Sequence, residues 1–99
     1  MKDNGGMTAL MFAAWNGHLE CVKVLAPLEK GMKNNGGWTA LMIAACNGHI
    51  ECVKVLAPLE KGMKDVQGMT ALMIAAARGH LECAKELAPL EARIRDEYS

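Results

Sequence analysis

MTALMFAAWNGHLECVKVLAPLEKG, residues 7–31, returns as WTALMIAACNGHIECVKVLAPLEKG at 38–62 and as MTALMIAAARGHLECAKELAPLEAR at 69–93. The starts of these stretches, Met7, Trp38 and Met69, lie 31 residues apart with no insertion between them. Self-similarity at a fixed short period marks a stacked repeat array and takes precedence over any local reading. Windows 1–31 and 32–62 differ only at Asp3/Asn34, Met7/Trp38, Phe12/Ile43, Trp15/Cys46 and Leu19/Ile50. Window 63–93 departs further, and 94–99, IRDEYS, forms a polar tail. The expected organisation is a single domain over 1–99 with repeats at 1–31, 32–62 and 63–93.

Each copy reads as helix, tight turn, helix. Thr8 is an N-cap residue type ahead of a helix starting at Ala9, and Leu10, Ala13 and Ala14 give that helix an apolar face. Gly17 supplies the left-handed stop that helices favour at their C-terminal end. A second helix is predicted from His18 or Leu19, with Leu19, Cys21, Val22, Val24 and Leu25 apolar. Glu20 and Lys23 face solvent at i, i+3, a pairing that contributes a few tenths of a kcal/mol. Pro27 lacks an N–H and its ring clashes with the carbonyl four residues earlier, so the helix is expected to be interrupted there. Leu28 to Lys30 then read as an extra turn ended by Gly31. Neither helix buries its apolar face alone, but stacked copies do, giving an all-α solenoid.

The totals fit this reading. The 99-residue chain is 52% hydrophobic and 22% charged, which is globular rather than disordered. Eleven basic residues balance eleven acidic ones. A neutral chain without a Lys/Arg stripe lacks the electrostatic footprint of a nucleic-acid or anionic-membrane binder. The longest apolar runs, such as TALMIAA, fall far short of the roughly 20 residues that cross a bilayer. MKDNGG at 1–6 does not open a signal peptide. A reduced, cytoplasmic protein is the expectation.

D-x-x-G-x-T-A-L-M-x-A-A-x-x-G-H-x-E-C-V-K-x-L resembles the ankyrin repeat, whose usual pattern is D-x-x-G-x-T-P-L-H-x-A-A-x-x-G-H. The resemblance covers essentially the whole chain three times over. The T-A-L-M-x-A-A wording is most similar to ankyrin arrays of diplomonad protists, and the near-identity of the copies also fits a consensus or designed array. Three departures stand out. TPLH has become TALM at Thr8–Met11, Thr39–Met42 and Thr70–Met73, so apolar packing is expected where the family has a buried His relay. The period is 31 rather than the usual 33. The link from Gly31 to Asn34 is short, which should stunt the projecting β-hairpin finger.

Comparison of the copies separates scaffold from specialisation. Slots filled identically, among them Thr8, Leu10, Met11, Ala13, Ala14, Gly17, His18, Cys21, Leu25 and Pro27 with their equivalents, serve the shared fold. The TALM methionines read as core filler, and His18, His49 and His80 as hydrogen-bonding partners of the inter-helix turn. The changing slots are Met7/Trp38/Met69, Trp15/Cys46/Ala77, Asn16/Asn47/Arg78, Asn4/Asn35/Val66 and Gly5/Gly36/Gln67. These are the x positions of the ankyrin pattern, and the resemblance implies that they line a concave surface holding a protein partner. Both tryptophans fall in them. A Trp exchanged for Cys or Ala between near-identical copies fills no essential core position, since Trp→Ala in a core costs about 3–5 kcal/mol. The candidate binding set is therefore Met7, Trp15, Asn16, Asn35, Trp38, Cys46, Asn47, Val66, Gln67, Met69, Ala77 and Arg78.

Cys46, His49 and Cys52 invite a second reading, as a C-x-x-H-x-x-C metal cluster or a Cys–His catalytic pair. The internal comparison argues against it, because the first ligand becomes Trp15 and Ala77 in the other copies and no fourth ligand stands nearby. No metal, cofactor or catalytic residue is assigned. Cys21, Cys52 and Cys83 share one slot and read as small buried hydrophobes, spaced too far apart for disulfides between stacked helices. Cys46 is the thiol expected to reach solvent. At the ends, Val24 and Val55 become Glu86 while Gly31 and Gly62 become Arg93, as a polar capping repeat should show. Met1 is equivalent to Met32 and Met63, so the chain opens mid-pattern. Two readings of that front stand: upstream repeats have been trimmed, or the uncapped N-terminal face pairs weakly end to end with another molecule. A non-enzymatic protein-binding scaffold is the leading expectation, and a self-associating structural module the alternative.

Overall fold

The computed structural model describes residues 5–98, with side chains described as far as Glu91. The expectations resting on Met1, Asn4, the Arg93 side chain and the far end of the tail lie outside the described residues. Six helices follow in order: α1 Ala9–Asn16, α2 Leu19–Glu29, α3 Ala40–Asn47, α4 Ile50–Glu60, α5 Ala71–Ala77 and α6 Leu81–Tyr98. No strand occurs among the described residues. Within each repeat the two helices pack on each other, and α1, α3 and α5 form one layer while α2, α4 and α6 form the other. The result is the all-α helical solenoid predicted from the period.

Local chemistry fixes the helix ends. Thr8, Thr39 and Thr70 are extended residues whose Oγ1 atoms accept the N–H of Met11, Met42 and Met73 at 3.2, 3.3 and 3.3 Å. In the first two copies the methionine sulfur returns the favour, accepting the N–H of Thr8 and of Thr39 at 3.4 Å. A thioether is a weak acceptor, yet it closes a capping box where the family places histidine. Gly17 and Gly48 end α1 and α3 in the left-handed region at φ 73°.

The second helices correct one expectation. α2, α4 and α6 run straight through Pro27, Pro58 and Pro89. Each proline removes one helical hydrogen bond, but it sits on the exposed side close to the helix end in α2 and α4, where little of the ladder remains to be lost. The exposed Glu20–Lys23, Glu51–Lys54 and Glu82–Lys85 pairs recur at 3.6, 3.8 and 3.9 Å on the solvated face.

One core runs the length of the stack, from Leu10 and Met11 through Leu41, Ile43, Val53 and Leu56 to Ile74 and Leu87. Its register shows which neighbour each slot meets. Cys52 and Cys83 are buried whereas Cys21 is exposed, so that slot faces the preceding repeat. Met11 and Met42 are buried but Met73 is 46% exposed, so that slot faces the following one. Reading all three TALM methionines as core filler, and all three slot cysteines as buried, therefore fails at one end each.

The same logic overturns the reading of Glu86 as an end cap. Val24 is 68% exposed in the first copy. Val55 and Glu86, its equivalents, are half-buried. The slot points back toward the preceding repeat, so Glu86 lies at the junction with the second repeat rather than at the C-terminal end. Helical spacing explains this: Cys21, Val24 and Leu28 share one face of α2, and Val22, Ala26 and Glu29 another.

Candidate partner-binding surface

The surface is built on latches between repeats. His49 Nε2 lies 2.9 Å from the carbonyl of Trp15, and His80 Nε2 lies 2.9 Å from that of Cys46. A carbonyl only accepts, so each histidine holds its proton on Nε2. The histidines therefore tie neighbouring repeats together rather than their own turns, which corrects the sequence reading. Gly48 must be glycine for two reasons: its φ is positive, and an added Cβ would come within 2.8 Å of the His80 ring.

On the opposite edge a glutamate does the same work. Glu60, only 2% exposed, accepts the N–H of Leu41 at 2.9 Å and that of Gly31 at 2.8 Å. It joins the first turn of its own repeat to the end of the previous one. Burial pushes its pKa up, while the two backbone N–H groups pull it down less strongly. Glu29 accepts the N–H of Leu10 at 2.8 Å, and Glu91 accepts the Thr70 hydroxyl at 2.7 Å. The polar relay of the family pattern is thus taken over in part by the P-L-E glutamates, not by apolar packing alone. Sequence reading passed over them because a charged residue near a helix end reads as solvated. Their identical recurrence at a fixed slot was the available signal.

Between helices, Asn34 Oδ1 accepts the N–H of Gly36 at 2.9 Å and of Trp38 at 3.0 Å. Asp65 Oδ1 does the same for Gln67 and Met69 at 2.8 and 2.9 Å. Successive loops touch through Asn35 N–H to the Gly5 carbonyl and Val66 N–H to the Gly36 carbonyl, at 3.0 and 3.3 Å. Gly37 cannot carry a side chain, because a Cβ would meet the Val66 nitrogen at 2.8 Å. The Met69 N–H above all, helped by Gln67, the Trp38 indole and Lys33, holds the Asp65 carboxyl below its ordinary range against a smaller desolvation effect.

The candidate binding residues fall into two rows, one at each end of the inner helices. Met7, Asn35, Trp38, Val66, Gln67 and Met69 sit in or beside the loops ahead of α1, α3 and α5. Trp15, Asn16, Cys46, Asn47, Ala77 and Arg78 sit at or just beyond the C-terminal ends of those helices. Six helical residues, 9–14 and 40–45, separate the rows in the first two copies, or about 9 Å at about 1.5 Å per residue. Ala40 through Ala45 between them are buried.

The two tryptophans part company. Trp15 is 54% exposed. Trp38 is half-buried against the core, and its indole N–H donates to Asp65 Oδ2 of the next repeat at 2.9 Å. Asn47 is also engaged, donating to the Trp15 carbonyl at 3.1 Å, and Asn16 donates to the Phe12 carbonyl at 3.0 Å. Val66, Gln67, Ala77 and Arg78 are exposed, while Met7, Cys46 and Met69 are half-buried. Cys21 is more open than Cys46, contrary to expectation. Burial raises the Cys52 and Cys83 thiol pKa values, with a smaller push from Glu51 and Glu82. The described residues bring together no group of three or more His, Cys, Asp or Glu side chains in ligating range.

Comparison with known proteins agrees with the architecture. A family profile described as ankyrin repeats (3 copies) matches residues 25–98, and one described as ankyrin repeats (many copies) matches residues 1–44. The first covers more than half of the chain, and the protein belongs to the ankyrin repeat family. Repeats of this family generally mediate protein–protein interaction. Comparison with curated proteins gives no match. Among the described residues no helix is long and apolar enough to cross a membrane.

Proposed function

We propose that this chain is a non-enzymatic scaffold whose three repeats act as one domain over 1–99 and hold a partner protein across the two rows of variable slots. The observation that carries the reading is Trp15. It is a large aromatic left 54% exposed, in a slot that near-identical copies fill with Cys46 and Ala77. Exposed Trp and Arg are the residue types enriched in interface hot spots, and Arg78 closes the same row. Val66 and Gln67 supply adaptable contacts on the other row. Trp38, Asn47 and Asn16 contribute through the parts their intramolecular hydrogen bonds leave free. A balanced charge supports a protein partner over a nucleic acid or an anionic membrane. Free thiols at all four cysteines, two of them buried, fit a reducing, cytoplasmic setting.

The test is affinity capture with the native chain, Trp15→Ala and, as a control on the outer layer, Lys54→Ala. Trp15 packs outside the core, so its variant should keep native helicity. A partner taken by the native chain and by Lys54→Ala but lost by Trp15→Ala supports the reading. A partner that Trp15→Ala takes equally well removes the row from the binding surface.

A further inference from the structure

The stacking register leaves the two halves of one interface at opposite ends of the array. Ala40, Ile43 and Cys52 are buried at 1% exposure against the first repeat. Their first-copy equivalents Ala9, Phe12 and Cys21 are exposed, and Val24 and Leu28 beside them stand at 68% and 73%. At the other end, Met42, Ala45 and Ala57 lie at 1%, 0% and 1% beneath the third repeat. Their third-copy equivalents Met73, Ala76 and Ala88 are exposed.

We propose that two copies of this chain associate head to tail, the N-terminal face of one seating on the C-terminal face of the other in the register the array itself uses. A second copy is the occupant because the chain builds this junction twice internally, and both exposed halves are continuous with it. The intermolecular junction has the more apolar N-terminal half, since Val24 stands in the slot that Glu86 fills at the junction between the second and third repeats. It also reuses a latch. His18 stands exposed in the slot from which His49 and His80 reach the carbonyls of Trp15 and Cys46, and the corresponding carbonyl is that of Ala77. The glutamate latch is lost, because α6 continues to Tyr98 through the slot where Gly31 offers its N–H to Glu60. The association is therefore weaker than the internal junctions. It is also heterologous, so each dimer keeps one free face of each kind and longer chains follow as concentration rises.

Sedimentation velocity from about 10 µM to about 1 mM, in reductant because Cys21 lies in the face, tests this. The native chain should sediment faster with concentration, passing beyond the dimer. Phe12→Glu blocks one face, because its slot is filled by buried Ile43 and Ile74 at the internal junctions, and Met73→Glu blocks the other. Each places an unpaired charge in the junction, so each variant alone should bind itself at least about tenfold more weakly. Mixed, they should pair one to one and stop there, because only their unmodified faces are complementary. Leu28→Lys with Ala88→Lys repeats the experiment if either first variant loses native helicity. A native chain that stays monomeric throughout overturns the proposal. So does a mixture that fails to pair, or a Met73→Glu chain that dimerises alone through two N-terminal faces.

Discussion

Replacing Glu60 with alanine should destabilise the protein more than any other single change to the P-L-E slots. The carboxylate is 2% exposed and accepts two backbone N–H groups, those of Leu41 at 2.9 Å and Gly31 at 2.8 Å. A buried donor left without its partner costs about 1–3 kcal/mol. Two such donors and a small cavity set the gross loss near 4–5 kcal/mol, and relief from desolvating the carboxylate returns part of it, leaving about 3 kcal/mol. At about 4–8 °C per kcal/mol for a domain of this size, the midpoint should fall by roughly 12–24 °C. Glu29→Ala is the internal reference. Glu29 is half-buried and accepts a single N–H, that of Leu10 at 2.8 Å, so its loss should cost about 1 kcal/mol. Thermal unfolding followed by circular dichroism reads both. A Glu60→Ala midpoint no lower than that of Glu29→Ala would refute the inter-repeat latch.

Three further outcomes follow from the same geometry. Glu60 has a folded pKa above its ordinary value of 4.5, so it binds its proton more tightly in the native state, and that stability is whole below the unfolded pKa and fades as pH rises through the folded one. The stability of the native chain relative to Glu60→Gln should accordingly decline from about pH 4.5 upward, and urea titrations at several pH values check the slope. Gly37→Ala should cost at least about 2 kcal/mol, since it adds a backbone clash to positive-φ strain, whereas Gly68→Ala, with nothing within 4 Å of its Cβ position, should cost about 1 kcal/mol. Maleimide labelling of the folded chain should modify Cys21 first and Cys46 more slowly, with Cys52 and Cys83 protected until unfolding.

Much of the fold was legible because it is local and repeated. Thr8 ahead of Ala9, and Gly17 after Asn16, announce helix ends through their own backbone chemistry, and the period carries them down the chain. What the linear pattern hid is tertiary. Glu60 bonds residues 19 and 29 positions away, and His49 bonds one 34 positions away, separations that no helical or turn spacing encodes. Glu86 was misread because Val→Glu resembles a solvated end until the register shows which neighbour the slot faces. Its grouping with Cys83 and Leu90 at helical spacing, as of Val24 with Cys21 and Leu28, was the available signal. Pro27 was misread because its clash was weighed as if it lay mid-helix, when α2 ends two residues later at Glu29. At the candidate surface, variation between copies singled out Trp15 and Arg78, which stand exposed, together with Trp38 and Asn47, whose polar atoms are committed to neighbouring repeats.

The central claim, that partner recognition runs along the variable slots of the inner layer, is tested most directly by amide chemical-shift mapping of the labelled chain with and without a captured partner. The account predicts perturbations clustered at Trp15, Cys46, Ala77 and Arg78 and along the loops bearing Asn35, Val66 and Gln67. Perturbations confined to the outer faces of α2, α4 and α6, around Lys23, Lys54 and Lys85, would contradict it.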